Sequence, residues 1–151
     1  MGKIKIISKN RQALRDYFVE DTYEAGVELR GDEVKSVRNA RVNLKGSFAK
    51  FTKGELYIYN MHISHYEFSR EDADPVRPRK LLLHKRQLFK LKAAISQKGF
   101  AIVPLKLYFS GKFAKIELAL GKGKRNYDKR QTLKKKQQDR EIQKAIRDKN
   151  R

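Results

Sequence analysis

The chain has 151 residues, enough for one domain with a hydrophobic core, and its net charge of +20 makes RNA or DNA the simplest partner. It has no cysteine, which excludes disulfides and thiolate metal sites. No apolar run approaches the roughly 20 residues of a membrane-spanning helix, and the first residues lack the long apolar region of a signal peptide. We therefore expect a cytoplasmic protein that binds nucleic acid and does not enter a membrane.

The first part of the chain predicts one long strand followed by a short helix. Residues 1–16 form a basic lead-in with a short apolar patch, and residues 17–30 are rich in aromatic and β-branched side chains, as in strands. Gly26 inside this run suggests a bulge or a sharp bend of the kind that a small barrel needs. After the strand, Asp32 is placed to cap a short helix.

Residues 46–68 predict a second group of strands. Residues 47–51 and 55–60 alternate between apolar and polar side chains, and a Lys-Gly turn at 53–54 joins them. Residues 69–79 are polar and contain two of the three prolines. We expect this last stretch to be a loop.

The clearest helix is predicted at residues 81–98. Leu88, Leu91 and Ile95 recur at helical spacing, and Gly99 stands where a C-terminal cap belongs. The opposite face of this helix is basic and carries Lys85, Arg86, Lys90 and Lys92.

Two more strands are predicted at residues 100–109 and 113–120. Pro104 has no amide hydrogen, so the first of these strands must be an edge strand or bulged at that point. Several short strands, one or two helices and no alternation of strands with helices indicate a mainly β fold. We predict a small antiparallel barrel with flanking short helices.

The last 31 residues, 121–151, predict a separate basic tail. They hold 13 Lys and Arg against four acidic residues, and they have few apolar side chains. Such a segment buries too little surface to offset the entropy lost on ordering, but neutralisation by a polyanion lets a helical pattern settle. We therefore divide the chain into an RNA-binding barrel domain, residues 1–120, and a tail, residues 121–151, that is disordered alone and becomes helical on RNA.

Catalysis and metal binding have little support in the sequence. His62 and His65 are three residues apart in a predicted strand, so they point to opposite faces and do not share a metal easily. The glycines and lysines at 121–124 lack the form and the strand-to-helix setting of a phosphate-binding loop. We predict no enzymatic activity, no catalytic residue, no metal and no cofactor.

RNA binding has more support, because basic residues recur beside rings or long apolar groups, as at residues 15–17, 79–81 and 125–127. Looped or single-stranded RNA is held by this mixture, with cations on phosphates and flat groups under bases. The alternative is that the charged surface only keeps the protein soluble. Such surfaces usually mix positive and negative charges, so this alternative explains the excess of basic residues less well. Glu24 fits both an ordinary strand carboxylate and an acceptor for base amino groups, and its role stays open at this point.

Four stretches resemble the SsrA-binding protein family, SmpB, of bacterial ribosome rescue. They read EDTYEAGVELRGDEVKS at residues 20–36, YNMHISHY at 59–66, RPRKLLLHKR at 77–86 and GKRNYDKR at 123–130. The resemblance implies an oligonucleotide-binding-type barrel that binds the tRNA-like domain of transfer-messenger RNA. It also implies that the protein brings this RNA to stalled ribosomes for trans-translation.

The same resemblance implies which residues touch RNA. The matching positions on the body are Asn10, Glu24, Lys80, Leu82 and Lys115, to which we add the neighbouring Arg11, Tyr23, His84, Lys85 and Arg86. The tail of the family enters the small-subunit decoding centre and becomes helical in the vacant messenger channel. Its matching residues are Gly123, Lys124, Arg125, Tyr127, Asp128, Lys129 and Arg130.

The predicted partners are transfer-messenger RNA and the ribosome, and we expect a monomer. A contact with elongation factor Tu stays open. A second interpretation, a ribosomal or ribosome-assembly protein that binds ribosomal RNA, explains the charge and the tail equally well, and only the motifs at 20–36 and 77–86 argue against it. A third, an RNA-processing enzyme, needs an acid–base pair or a metal cluster that the sequence does not offer.

Overall fold

The computed structural model describes residues 4–67, 74–97 and 99–124. Within these ranges the chain forms nine strands and three helices, and no helix there is long and apolar enough to cross a membrane. The strands are β1 (Ile4–Lys9), β2 (Tyr17–Val27), β3 (Val42–Asn43), β4 (Phe48–Thr52), β5 (Glu55–Tyr59), β6 (His62–Ile63), β7 (Arg79–Leu82), β8 (Phe100–Ser110) and β9 (Phe113–Gly123). The helices are α1 (Arg11–Asp16), α2 (Gly31–Arg38) and α3 (Lys85–Ile95).

Seven strands form one antiparallel sheet in the order β1-β8-β4-β5-β7-β2-β9. An additional pairing of β8 with β9 closes this sheet into a barrel, and β1 remains outside the closed ring. The short strands β3 and β6 pair separately. The predicted mainly β fold with flanking short helices is confirmed.

The hairpin of β4 and β5 forms as its sequence predicts. Lys53 and Gly54 have φ angles of 53° and 81°, which a two-residue turn between twisted strands requires. Leu56 and Ile58 on β5 are fully buried in the barrel core. The alternating side chains of the strand point outward, as period-two alternation demands.

The two irregular positions expected in the long strands have different outcomes. The register of β8 against β9 shifts between Pro104 and Lys106, which confirms the predicted bulge. No register shift occurs at Gly26, so the expected bulge is absent there, and the register of β2 against β9 shifts instead between Val19 and Asp21.

The N-terminal lead-in has structure that the sequence did not predict. Ile4 pairs with Ser110, and the rest of β1 continues along β8. Asn10 then begins α1, because its side-chain oxygen accepts a hydrogen bond from the amide of Ala13 at 3.3 Å. Ala13 packs against Val103 and Ala119 in a small apolar cluster apart from the main core.

The boundaries around α3 differ from the prediction at both ends. Residues 79–82 form strand β7, so the predicted loop ends one residue too late and the predicted helix begins four residues too early. His84 occupies the N-cap of α3, and Ser96 occupies the C-cap that we expected at Gly99. Pairing of residues 79–82 with β5 and β2 overrides a local pattern that fits a helix as well as a strand.

Helix α2 confirms the helix predicted after the first strand, but Asp32 does not cap it. Arg30 occupies the N-cap, and its amide donates to the Glu33 carboxylate at 2.9 Å. Asp32 lies in the first turn, where an acidic side chain is favourable next to the free amides of the helix.

Candidate nucleic-acid interface

Outward side chains of β7, β2 and β9 bring distant parts of the sequence together. Gly26 on β2 pairs with Leu82 on one side and with Lys115 on the other. Because alternate residues of a strand share a face, Lys80 lies on the same face as Leu82, and Glu24 lies on the same face as Gly26. Four predicted RNA contacts from three separate stretches therefore share one outer surface of the barrel.

Leu82 on β7 packs directly against Gly26 on β2. A Cβ atom added at Gly26 would lie 3.4 Å from the Cβ of Leu82. The Leu82 side chain covers the glycine and leaves 50% of its own residue surface exposed. Leu82 therefore forms a small apolar patch on this outer surface, between the charged side chains of Lys80, Glu24 and Lys115.

Glu24 is held by two neighbours on this surface. Its Oε1 lies 2.7 Å from Nζ of Lys115, and the Tyr108 hydroxyl donates to its Oε2. The hydrogen bonds from Lys115 and then Tyr108 hold the pKa of Glu24 below its ordinary value. Burial, followed by the bond to Glu24, raises the pKa of Tyr108, so the phenol stays a donor. Glu24 is thus an ionised and oriented acceptor.

Two more lysine–glutamate pairs flank this cluster. Nζ of Lys80 lies 3.1 Å from Oε1 of Glu55, and this hydrogen bond raises the pKa of Lys80. Lys106 on β8 lies 3.2 Å from Glu117 on β9. We call this surface the ion-pair face and define it by Lys80, Glu55, Leu82, Glu24, Lys115, Tyr108, Lys106 and Glu117.

The ion-pair face can exchange partners with a polyanion. Exposed ion pairs contribute only about 0–1 kcal/mol, because water competes with them and long side chains lose freedom. A phosphate can therefore replace a glutamate as the partner of a lysine at small cost. The released carboxylate becomes free to accept hydrogen bonds from base amino groups.

Asn10 lies near this surface but is itself buried. Its Nδ2 donates to the carbonyls of Pro104 at 2.9 Å and Leu44 at 3.4 Å, while its Oδ1 accepts from Ala13. These atoms are committed to the protein, so in this structure Asn10 positions α1 against the barrel.

Arg11 opens α1 beside a basic groove. The groove encloses about 550 Å³. Lys9 on its wall pairs with Lys106 across β1 and β8, so the groove borders the ion-pair face. Its cationic lining residues are Lys9, Arg11, Arg15 and Lys45.

The remaining predicted contacts on the body divide between two locations. Tyr23 packs against the barrel core, away from the ion-pair face, and burial followed by the charge of Asp21 raises its pKa. His84 caps α3, and Lys85 and Arg86 are exposed in the first turn of that helix. These three cationic or polar groups directly follow β7, which carries Lys80 and Leu82.

The first residues assigned to the tail belong to the sheet. Gly123 pairs with Tyr17 at the end of β9. Lys124 donates to the carbonyl of Leu14 at 3.1 Å and lies 5.0 Å from the ring centre of Phe18. The other tail residues in the prediction lie outside the described residues: Arg125, Tyr127, Asp128, Lys129 and Arg130.

Sequence reasoning missed Tyr108 and its neighbour Lys106. The available signal was their alternation with Leu107 and Phe109, which places the polar pair on one face of a strand. The alternation does not reveal that Tyr108 on β8 reaches Glu24 on β2, with β9 between the two strands. Within residues 4–67, 74–97 and 99–124, no group of three or more His, Asp or Glu side chains could hold a metal ion.

Comparisons with known proteins point to one family. The family model described as SmpB protein matches residues 7–148. An SsrA-binding protein of Geobacillus thermodenitrificans is 53% identical over 148 residues, covering 97% of this chain and 96% of that protein. The SsrA-binding protein of Bacillus subtilis is also 53% identical over 148 residues, covering 97% and 95%.

A solved structure is similar over most of the chain. It is described as "tmRNA-SmpB: a journey to the center of the bacterial ribosome", and its matching chain is 49% identical with a TM-score of 0.65. The match covers 77% of this chain and 82% of that one.

Proposed function

Since this chain belongs to the SmpB protein family, we propose that it binds the tRNA-like domain of transfer-messenger RNA and brings it to stalled ribosomes for trans-translation. The observation that carries the proposal is the ion-pair face. There Glu24, Lys80, Leu82 and Lys115 come from three separate stretches and share one outer surface of the barrel. A folded RNA with splayed bases matches that mixture of cations, an oriented acceptor and apolar surface.

In the proposed complex, different side chains of neighbouring surfaces bind the phosphates and the bases of the RNA. The lysines of the ion-pair face and the basic groove beside α1 bind phosphates, and Glu24 accepts from a base. The body alone carries a net charge of +11 over residues 1–120, so long-range attraction brings the RNA to this surface before the located contacts form.

The tail provides the second function. We keep the division into an RNA-binding body and a basic tail, and we place the start of the tail after Lys124, because the side chain of Lys124 still contacts the body. The tail enters the decoding centre and becomes helical in the messenger channel. A messenger in that channel would occupy the same volume, so exclusion restricts the protein to stalled ribosomes.

The proposal contains no chemical step on the RNA. The protein acts as a monomeric binding factor in the cytoplasm, where its ribosomal partner works. Purified protein incubated with the RNA and magnesium should leave the RNA intact, and specific cleavage would favour the RNA-processing interpretation.

Capture of RNA from a bacterial lysate tests the proposal. The tagged full-length protein is incubated with whole cell lysate, and the bound RNA is sequenced. We expect strong enrichment of transfer-messenger RNA. Enrichment of ribosomal RNA fragments without it would support the alternative, a ribosomal or ribosome-assembly protein.

A further inference from the structure

Helix α3 exposes an aromatic ring that the proposed function does not use. The helix packs Leu88, Leu91 and Ile95 against the barrel core. Phe89 points away from that contact and leaves 77% of its surface exposed. A single exposed apolar residue is ordinary on a protein surface, so the surroundings of the ring decide what it can bind.

Those surroundings are cationic. The neighbours of Phe89 three and four residues away on the helix surface are Lys85, Arg86, Lys92 and Ala93, and all four are exposed. The helix contains no acidic residue. Three cations and one methyl group therefore surround a flat ring. Burial in an apolar protein interface would strip water from these charges, whereas a nucleic acid would neutralise them.

The ring of Phe89 is also open, unlike those of Phe100 and Phe109. Lys122 lies 5.8 Å from the ring centre of Phe100, and Arg38 lies 5.9 Å from that of Phe109. In the part of the chain that the structure describes, neither a cation nor a second ring covers Phe89. A face of the ring is therefore accessible to another flat group.

We propose that Phe89 is a stacking platform for an unpaired base of the transfer-messenger RNA that occupies the ion-pair face. This inference rests on the proposed function. Helix α3 begins three residues after Leu82 of that face, and helical side chains lean towards the N-terminus, here towards β7. Lys85 and Arg86 bind the phosphates beside the stacked base, the arrangement typical of single-stranded RNA binding.

The test compares two equally exposed phenylalanines in the full-length protein. Affinity for transfer-messenger RNA is measured over a range of salt concentrations for Phe89→Ala, Phe89→Trp and Phe113→Ala. Phe113 is 71% exposed and lies beside the turn between β8 and β9, away from α3. Loss of one stacked base should weaken binding roughly 5- to 150-fold. The slope of log K against log salt should not change, because no charge is removed.

Phe89→Trp should keep the affinity of the wild type. Phe113→Ala removes an exposed ring two residues from Lys115 on the outer face of β9, and it should lose less affinity than Phe89→Ala. Equal binding by Phe89→Ala and the wild type would overturn the inference and leave the proposed function, which depends on wild-type binding, intact. An equal loss in Phe113→Ala would show a general effect of exposed apolar surface and would also overturn it. A defect confined to ribosome complexes would assign Phe89 to a ribosomal partner and reject the RNA contact proposed here.

Discussion

At the scale of single residues, Glu24 and Glu55 offer a matched comparison. Each accepts a hydrogen bond from a lysine predicted to bind RNA and from a tyrosine hydroxyl. We expect Glu24→Gln to weaken binding of the tRNA-like RNA, because a charged acceptor for a base contributes on the order of 1.5–3 kcal/mol. Glu55→Gln should strengthen binding slightly, because it frees Lys80 without removing a base contact.

Titration of the same RNA with both variants measures this difference, and circular dichroism checks that both fold. If both substitutions strengthen binding, Glu24 is only a counter-ion of Lys115, and the base contact is excluded.

The two lysines of the ion-pair face make a second prediction. Each phosphate contact contributes a slope of roughly −0.7 to −0.9 in log K against log salt. Lys80→Ala and Lys115→Ala should each flatten the slope by somewhat less than one unit, because each lysine already has a glutamate partner in the free protein. Lys112→Ala, in the turn between β8 and β9, is the control. Unchanged slopes for both lysine variants would place the RNA elsewhere.

At the scale of elements, a buried ion pair joins β7 to α2. Arg79 is only 1% exposed. Its Nε donates to Glu33 at 2.6 Å, and its Nη1 donates to the carbonyl of Met61 at 2.7 Å. Glu33→Ala leaves this guanidinium without its counter-charge, so we expect a loss of about 3–5 kcal/mol in the free energy of unfolding, measured in urea. Glu117→Ala removes the half-buried partner of Lys106 and should cost less than Glu33→Ala, about 1 kcal/mol.

The ion pair of Glu33 and Arg79 should make the free energy of unfolding depend on pH. Burial alone would raise the pKa of Glu33, but hydrogen bonds from Arg77, the Arg30 amide and Arg79 outweigh burial and lower it. The contribution of Glu33 is therefore complete above its ordinary pKa of 4.5 and is lost as the pH falls through the lower folded-state value. Equal losses at low pH in wild type and Glu33→Ala would contradict this account.

Substitution of Asn10 distinguishes a structural role of this residue from a direct contact with RNA. One of its side-chain hydrogen bonds caps α1, and two reach the carbonyls of Leu44 and Pro104. Asn10→Ala should therefore lower the free energy of unfolding by about 1–3 kcal/mol. RNA affinity measured well below the unfolding temperature should stay near that of the wild type. A large affinity loss with unchanged stability would instead show a direct contact with RNA.

The elements that sequence predicted well are those whose signals are local. The β4–β5 hairpin follows from its Lys-Gly turn and alternating side chains, and the bulge after Pro104 follows from the missing amide hydrogen. The errors lie where pairing partners are distant. Residues 79–82 fit a helix or a strand locally, and contacts with β5 and β2 choose the strand.

The candidate RNA-binding site also depends on contacts between residues distant in sequence, which local patterns do not predict. The resemblance to a family identified Glu24, Lys80 and Lys115 as candidates, but no local pattern shows that β2 lies between β7 and β9. Tyr108 was missed because its partner Glu24 is 84 residues away in sequence. A contact between nonadjacent strands becomes visible only when the register of the sheet is known.

At the scale of the whole molecule, the barrel and the tail bind different partners in the proposed function: the barrel binds transfer-messenger RNA, and the tail binds the ribosome. The barrel presents the ion-pair face, and the chain continues past Lys124 into 27 residues with 11 Lys and Arg. Binding of transfer-messenger RNA and recognition of the ribosome should therefore be separable by truncation. The cut belongs after Lys124, because residues 121–123 pair with β2 and β8.

The most direct test is peptide transfer on ribosomes that carry a truncated messenger, run beside RNA binding with a protein lacking residues 125–151. The barrel should keep its melting temperature, and binding to the tRNA-like RNA should survive with weaker non-specific attraction. Peptide transfer should be lost, and replacing Asp128, Lys129 and Arg130 with alanine should give most of the same defect at a net charge change of only −1. Full peptide transfer without the tail would contradict the account and leave the tail as an aid to affinity alone.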